Sequence, residues 1–242
     1  MDTGYDIRFS IIITARNNGA TIKRCLQSIL SQTYPPFEVL VVESGSTDNT
    51  VAVVEAFGNE KIKIVPGSNE GYYDGLNKGI WETKGNWMYF LDGDDQMLDN
   101  TVLQNITDVI NGLPNVQVVF GDIINASGKR ERNKGYNFWK LVIHRNISRQ
   151  AICYHRAVFN VDFFDTRYEL FADWDINLKI FAWGVFSQHI AQVFAKTGSF
   201  TLSDTRQHPE YLTNFANRAA LVVKYKSRWY LPLYFLLKLF KK

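Results

Sequence analysis

Four short apolar runs, at 9–14, 37–42, 62–65 and 87–91, mark the first ninety residues, and each is separated from the next by a stretch of helical spacing. Such alternation leaves few options. The strands must lie parallel in one sheet, joined by right-handed crossovers with helices on the faces. The β-branched run at 9–14 has the continuous apolarity of a strand buried on both faces. After it, Ile22, Cys25, Leu26, Ile29 and Leu30 share one helical face, and Pro35-Pro36 ends that element. Further helices are expected over about 50–57, with Asp48 or Asn49 near the cap, and over about 72–83. Polar loops follow the strands, including Arg16-Asn17-Asn18-Gly19, Glu43-Ser44-Gly45-Ser46-Thr47-Asp48 and Gly67-Ser68-Asn69-Glu70-Gly71. In a doubly wound sheet they converge on the carboxyl edge, where ligands bind. No Gly-x-Gly-x-x-Gly follows the first run, so the usual dinucleotide fingerprint is missing.

The fourth run ends abruptly in acids: Trp87-Met88-Tyr89-Phe90-Leu91 leads straight into Asp92-Gly93-Asp94-Asp95. Three carboxylates so close repel one another unless a positive charge sits among them. Two readings fit. A divalent cation that itself holds a diphosphate would remove the conflict. Alternatively the acids form a solvated turn before the next helix, with Asp99 or Asn100 as its N-cap.

The later chain is less regular. An amphipathic helix is expected over 102–110, and a strand over 116–124 that ends in a hairpin turn at Asn125-Ala126-Ser127-Gly128. A charge-dense loop covers 129–134, and 136–149 is irregular, aromatic and basic. The segment 163–182 carries Phe171-Ala172-Asp173-Trp174-Asp175 and then the apolar Ile176, Leu178, Ile180 and Phe181, a helix whose early acids suit its dipole. A late strand is expected at 186–194, followed by helical, basic sequence.

Composition narrows the setting. With 242 residues the chain is long enough for one large α/β domain plus an extension, and its 46% hydrophobic content supplies a substantial core. A net charge of +3 is too small to argue for nucleic acid. Cys25 and Cys153 form neither a metal spacing nor a disulfide framework, and read as buried thiols in a reducing cytosol. The first eight residues lack the pattern of a signal peptide, and no apolar stretch approaches the ~20 residues that span a bilayer. A cytoplasmic location is therefore expected.

Several blocks, in order, resemble family 2 of the glycosyltransferases. They are Ser10-Ile11-Ile12-Ile13-Thr14-Ala15-Arg16-Asn17, Ser28-Ile29-Leu30-Ser31-Gln32-Thr33-Tyr34, and Val41-Val42-Glu43-Ser44-Gly45-Ser46-Thr47-Asp48-Asn49-Thr50. The series continues with Asn69-Glu70-Gly71-Tyr72-Tyr73-Asp74-Gly75-Leu76-Asn77-Lys78-Gly79 and Leu91-Asp92-Gly93-Asp94-Asp95. The second half matches more loosely, through 152–159 and Ala172-Asp173-Trp174-Asp175.

The resemblance implies a GT-A fold: a Rossmann-like, mostly parallel α/β sheet flanked by helices, with a C-terminal helical extension. Residues 1–100 would bind the nucleotide sugar and 101–223 the acceptor, with 224–242 as a basic amphipathic tail. The implied activity is inverting transfer of a sugar from a nucleotide-diphosphate sugar to a hydroxyl of a glycan or lipid-linked acceptor, as in surface polysaccharide biosynthesis. The implied cofactor is manganese or magnesium. Carried over by position, Thr14, Ala15, Arg16 and Asn17 lie near the nucleotide, and Glu43-Ser44 stands where many members have two acids. Asp74 and Asn77 face the donor, Asp92 lies near the ribose with Gly93 beside it, and Asp94 holds the metal. Asp173 takes the general-base position, and His155 and Trp174 fall on the acceptor side. The alternatives are a nucleotidyltransferase, which normally shows a Gly-rich basic loop after the first strand, and a non-catalytic subunit that binds sugar nucleotides.

The tail is a separate question. Leu231 to Leu239 is too short to span a bilayer, yet strongly apolar, and Lys224, Lys226, Arg228, Lys238, Lys241 and Lys242 flank or interrupt it. It fits either a peripheral membrane contact at the inner face or a helix packed on the domain. Pro232 suits the first turn of a terminal helix.

Overall fold

The computed structural model describes residues 8–67, 71–160, 162–198, 218–227 and 230–239. Ser68, Asn69, Glu70, the segment 199–217 and the tail residues Arg228, Trp229, Phe240, Lys241 and Lys242 lie outside the described residues.

The regular half follows the apolar runs. Strands β1 (Phe9–Ala15), β2 (Phe37–Glu43), β3 (Ile62–Pro66) and β4 (Trp87–Asp92) alternate with helices α1 (Ile22–Leu30), α2 (Thr50–Glu55) and α3 (Tyr72–Glu82). The strands lie in the order β3-β2-β1-β4, all parallel. All seven residues of β1 are buried, as its unbroken apolarity requires. Helix α3 lies close on the sheet because Gly79 faces it. A Cβ there would come within 2.7 Å of Ile12 Cγ2 and 3.0 Å of Val42 Cγ2.

The other half completes the same sheet. It adds β5 (Gln96–Met97), α4 (Val102–Gly112), β6 (Val118–Ile124), β7 (Arg130–Glu131), α5 (Phe138–Ile143), β8 (Ile152–His155), α6 (Ala172–Trp183), β9 (Ser187–Lys196), α7 (Arg218–Tyr225) and α8 (Leu231–Leu239). Strand β8 inserts antiparallel between β4 and β6, and β9 runs parallel to β6. The expected hairpin after β6 is present, with Asn125 N donating to Lys129 O at 3.0 Å.

One segment differs from the sequence reading. The stretch 136–149 contains α5, whose N-cap Asn137 accepts a hydrogen bond on its side chain from Lys140 N. Helix α6 starts at Ala172, so Asp173 and Asp175 lie in its first turn, as the sequence reading has it.

The C-terminal helices dock through polar and aromatic contacts. Buried Asp175 accepts from Lys224 at 2.9 Å and from the Tyr225 hydroxyl, and so ties α7 to α6. Tyr234 is buried, Leu231 packs on the core, and Tyr230 meets Trp139 at 6.2 Å. Pro232 is the second residue of α8, as expected. Leu233, Phe235, Leu236 and Leu239 remain exposed. No helix among the described residues is long and apolar enough to cross a membrane.

Candidate active site

The parallel strands deliver their polar ends to one edge. Glu43 ends β2 and folds onto its own loop, accepting from Gly45 N at 3.1 Å and from Ser46 N. Those hydrogen bonds outweigh burial and lower its pKa. Asn17, in the left-handed region at φ 55°, joins this loop to the end of β1. Its N–H donates to Ser46 Oγ at 3.0 Å, and its side-chain oxygen accepts from Thr47 N at 2.8 Å. Ala15 O accepts from Ser44 N, and Arg16 is exposed beside them. Asp74 lies in the first turn of α3, and Gly93 packs against the Asn18 side chain.

Carboxylate oxygens of Asp92, Asp94 and Asp95 all lie within 4.8 Å of one another. Asp92 is the most heavily tied. It accepts from Thr14 Oγ1 and the Tyr72 hydroxyl on one side, and from Gln150 Nε2 and Arg149 on the other. Asp95 is 1% exposed and accepts from Asp92 N at 2.8 Å, Gln150 Nε2 at 2.9 Å and Gly198 N at 2.9 Å. Burial, with the Asp92 charge beside it, pushes its carboxyl up to about 7. Asp94 sits against Gly198, where a Cβ would fall 2.0 Å from Asp94 Oδ2. Only glycine lets the chain pass so close. The donor set is three hard carboxylates close enough to share one ion, which fits a divalent cation at Asp94.

Asp173 reaches the same edge from the first turn of α6. Its Oδ1 accepts from the Tyr73 hydroxyl at 3.3 Å, and the same hydroxyl bonds Leu170 O at 2.9 Å. Burial raises the Asp173 carboxyl to about 6, opposed by the Arg149 charge, the Trp174 N–H and the Tyr73 hydroxyl, with Asp92 adding to the rise. Arg149 therefore serves both acids. Burial works against its charge, but Asp92, Tyr72, Tyr73 and Asp173 outweigh it, and its guanidinium lies 4.9 Å from the Tyr72 ring.

The side chains of the remaining sequence candidates make packing and backbone contacts. Asn77 grips the backbone of Phe164 with both amide atoms, accepting from its N–H at 3.1 Å and donating to its carbonyl at 2.8 Å. Asn77→Ala should lose about 1–3 kcal/mol, because two half-buried backbone groups lose their partners; thermal unfolding would show it. Trp174 is buried against Phe171. His155 pairs with Trp87 across β4–β8 and stacks edge-on with it at 5.3 Å. That is the opposite end of β4 from Asp92, about 17 Å away at ~3.3 Å per residue.

Sequence reasoning did not single out Arg149, Gln150, Tyr72 or Gly198 as site residues. The pair Arg149-Gln150 immediately before the apolar Ala151-Ile152-Cys153 was the available signal: polar residues at the start of an antiparallel insert reach the same edge as residues at the end of the strand beside it.

Comparison with known proteins agrees with this geometry. The model of "Glycosyl transferase family 2" matches residues 10–173. A "PGL/p-HBAD biosynthesis glycosyltransferase" of Mycobacterium bovis is 34% identical over 178 residues, covering 72% of this chain and 70% of that protein. Among solved structures, S. aureus TarS in complex with UDP-GlcNAc superposes with a TM-score of 0.78 at 18% identity, over 96% of this chain and 72% of that one. The mannosyltransferase PcManGT of Pyrobaculum calidifontis, in complex with GDP-Man and Mn2+, gives 0.71 at 17% identity over 97% and 70%. These likenesses establish the GT-A fold. With the family model spanning most of β1 through the start of α6, this chain belongs to glycosyltransferase family 2 and is a glycosyltransferase.

Proposed function

We propose that the chain transfers a sugar, with inversion, from a nucleotide-diphosphate sugar to a hydroxyl of a glycan or lipid-linked acceptor in surface polysaccharide biosynthesis. The observation that carries this reading is the meeting of two separate carboxylate sites at one edge, Asp94 at the end of β4 and Asp173 at the start of α6, with Arg149 between their neighbourhoods. A single in-line displacement needs a base on the attack side and charge stabilisation on the leaving side. Asp173 accepts the proton of the acceptor hydroxyl as that oxygen bonds to the anomeric carbon and the bond to the diphosphate breaks. Tyr73 fixes the Asp173 carboxylate by donating to Oδ1. Thr14, Tyr72, Arg149 and Gln150 hold Asp92 in place beside the nucleotide loops. A divalent cation at Asp94, manganese or magnesium, would offset charge on the departing diphosphate. Residues 1–100 supply the donor side and 101–223 the acceptor side. Thr14, Ala15, Arg16, Asn17, Glu43, Ser44, Asp74 and Gly93 are the remaining donor contacts.

A panel of nucleotide sugars, assayed for nucleoside diphosphate release with and without manganese, tests the reading. Release with one donor, dependent on the ion and raised by acceptor, is expected. Binding with no release by any donor would overturn it.

The exposed apolar face of α8 supports a peripheral membrane contact, which suits a lipid-linked acceptor at the inner leaflet of a cytoplasmic enzyme. The full chain should sediment with anionic vesicles and a chain ending at Val223 should not. Equal sedimentation of both would remove this role.

A further inference from the structure

The charge-dense loop singled out in the sequence stands at the active-site edge. Val119 and Tyr89 both pair with Cys153, and β6 runs in the same direction as β4. Asp122 and Asp92, each three residues on, are therefore level, and the hairpin beyond β6 projects past the edge where the acids emerge. It lies on the side of Arg149 and β9, opposite the nucleotide loops.

Residues 121–150 hold seven Lys or Arg side chains and two carboxylates, so this one segment carries more positive charge than the net +3 of the whole chain. Both carboxylates are already engaged. Asp122 pairs with Arg130 at 2.9 Å and with His189 at 3.3 Å, and Glu131 pairs with Arg145 at 3.2 Å. Lys140 donates to Lys134 O at 3.3 Å. Lys129, Arg132 and Lys134 are exposed, and none forms an ion pair with a carboxylate among the described residues. Exposed Lys196 joins them through its pairing with Ile124. It stands two residues before Gly198, whose backbone touches Asp94 and Asp95.

Resting on the transferase reading above, we propose that Lys129, Arg132, Lys134 and Lys196 form a rim that recognises phosphate on the acceptor. The donor diphosphate belongs at Asp94, and Lys129, Arg132 and Lys134 stand on or just after the β6–β7 hairpin rather than on the loops that follow β1 and β2, so the rim serves a second anion. Four cations with no carboxylate partner among the described residues exceed what one carboxylate uses and suit a phosphate or diphosphate close to the accepting hydroxyl. Four acids at the catalytic centre repel an anionic acceptor, and the rim offsets that repulsion as the hydroxyl approaches Asp173. The phosphate belongs either to a prenyl diphosphate carrier or to a water-soluble glycosyl phosphate.

The test uses the full chain in EDTA, which removes cation-dependent diphosphate binding at Asp94. Affinities are measured for geranyl diphosphate, glucose 1-phosphate and the neutral octyl glucoside. Wild type should bind one or both phosphates with affinity that falls as salt rises, and octyl glucoside far more weakly. The triple variant Lys129→Ala/Arg132→Ala/Lys134→Ala should keep its unfolding midpoint and bind the phosphates at least about tenfold more weakly. A control with the same charge removed elsewhere, Lys23→Ala/Arg24→Ala/Lys84→Ala, should bind like wild type. Tighter binding of geranyl diphosphate identifies a lipid carrier as the source, and equal or tighter binding of glucose 1-phosphate identifies the soluble one. No preference for phosphate over the neutral probe, or equal losses in the two triple variants, overturns the rim. Neither result depends on donor turnover, so failure of the rim and failure of the transferase reading are told apart by the release assay.

Discussion

Asp173→Asn should leave donor affinity unchanged and slow sugar transfer by about 100-fold to 10,000-fold, the usual cost of removing a general base. The amide keeps the shape of the carboxylate and its contact with the Tyr73 hydroxyl, but cannot take a proton. The pH profile of the wild type gives a second reading of the same residue. Transfer needs the carboxylate, which burial has raised to about 6, so kcat/KM should fall about tenfold per pH unit below that value. The variant should lose this acid limb. Stability should move the other way. The folded protein holds the Asp173 proton more tightly than the unfolded chain, so its stability declines as pH rises from about 4 to about 6. Asparagine carries no such burden. The variant should match or exceed wild-type stability at pH 8, which separates lost chemistry from lost folding. Wild-type turnover in Asp173→Asn would dismiss Asp173 as the base.

Asp94→Ala should abolish cation-dependent donor binding and reduce transfer by roughly 100-fold or more, since charge stabilisation by a bound cation is worth several kcal/mol. Titration of nucleoside diphosphate with manganese checks it. Asp92 and Asp95 are held by Arg149, Gln150 and Gly198, so they cannot swing to replace the missing ligand without breaking those contacts. Unchanged affinity with unchanged manganese dependence would reject Asp94 as the metal ligand.

The first half of the fold was legible because each strand there is apolar on both faces and ends in polar residues. No neighbouring element had to be known to read it. The second half was not. Strand β8 has four residues, β5 and β7 two each, and two of their four pairings are with partners more than 50 residues away. The same physics divides the site. Asp92, Asp94 and Asp173 announce themselves as acids at the ends of apolar runs or the start of a helix. Arg149 and Gln150 lie in a 3-10 turn, Arg149–Ala151, and join the acids only because β8 runs against β4. His155 shows the reverse. Its aromatic setting in sequence suggests the site, but its ring packs on Trp87 of β4, and that same antiparallel strand carries it away from Asp92.

Strand β8 has a further consequence, for synthesis rather than catalysis. Its antiparallel insertion means that one edge of β4 waits for a partner that begins 60 residues later, at Ile152. At a ribosomal rate of about 5–20 residues per second, that gap lasts about 3–12 seconds. Throughout it Trp87, Met88, Tyr89, Phe90 and Leu91, all buried in the finished protein, would stand as an open apolar edge. The first half can pair its own strands early, but it cannot be a finished object by itself. A chain cut after Gly112 would carry this edge permanently bare, so the two halves are one folding unit rather than modules to be exchanged.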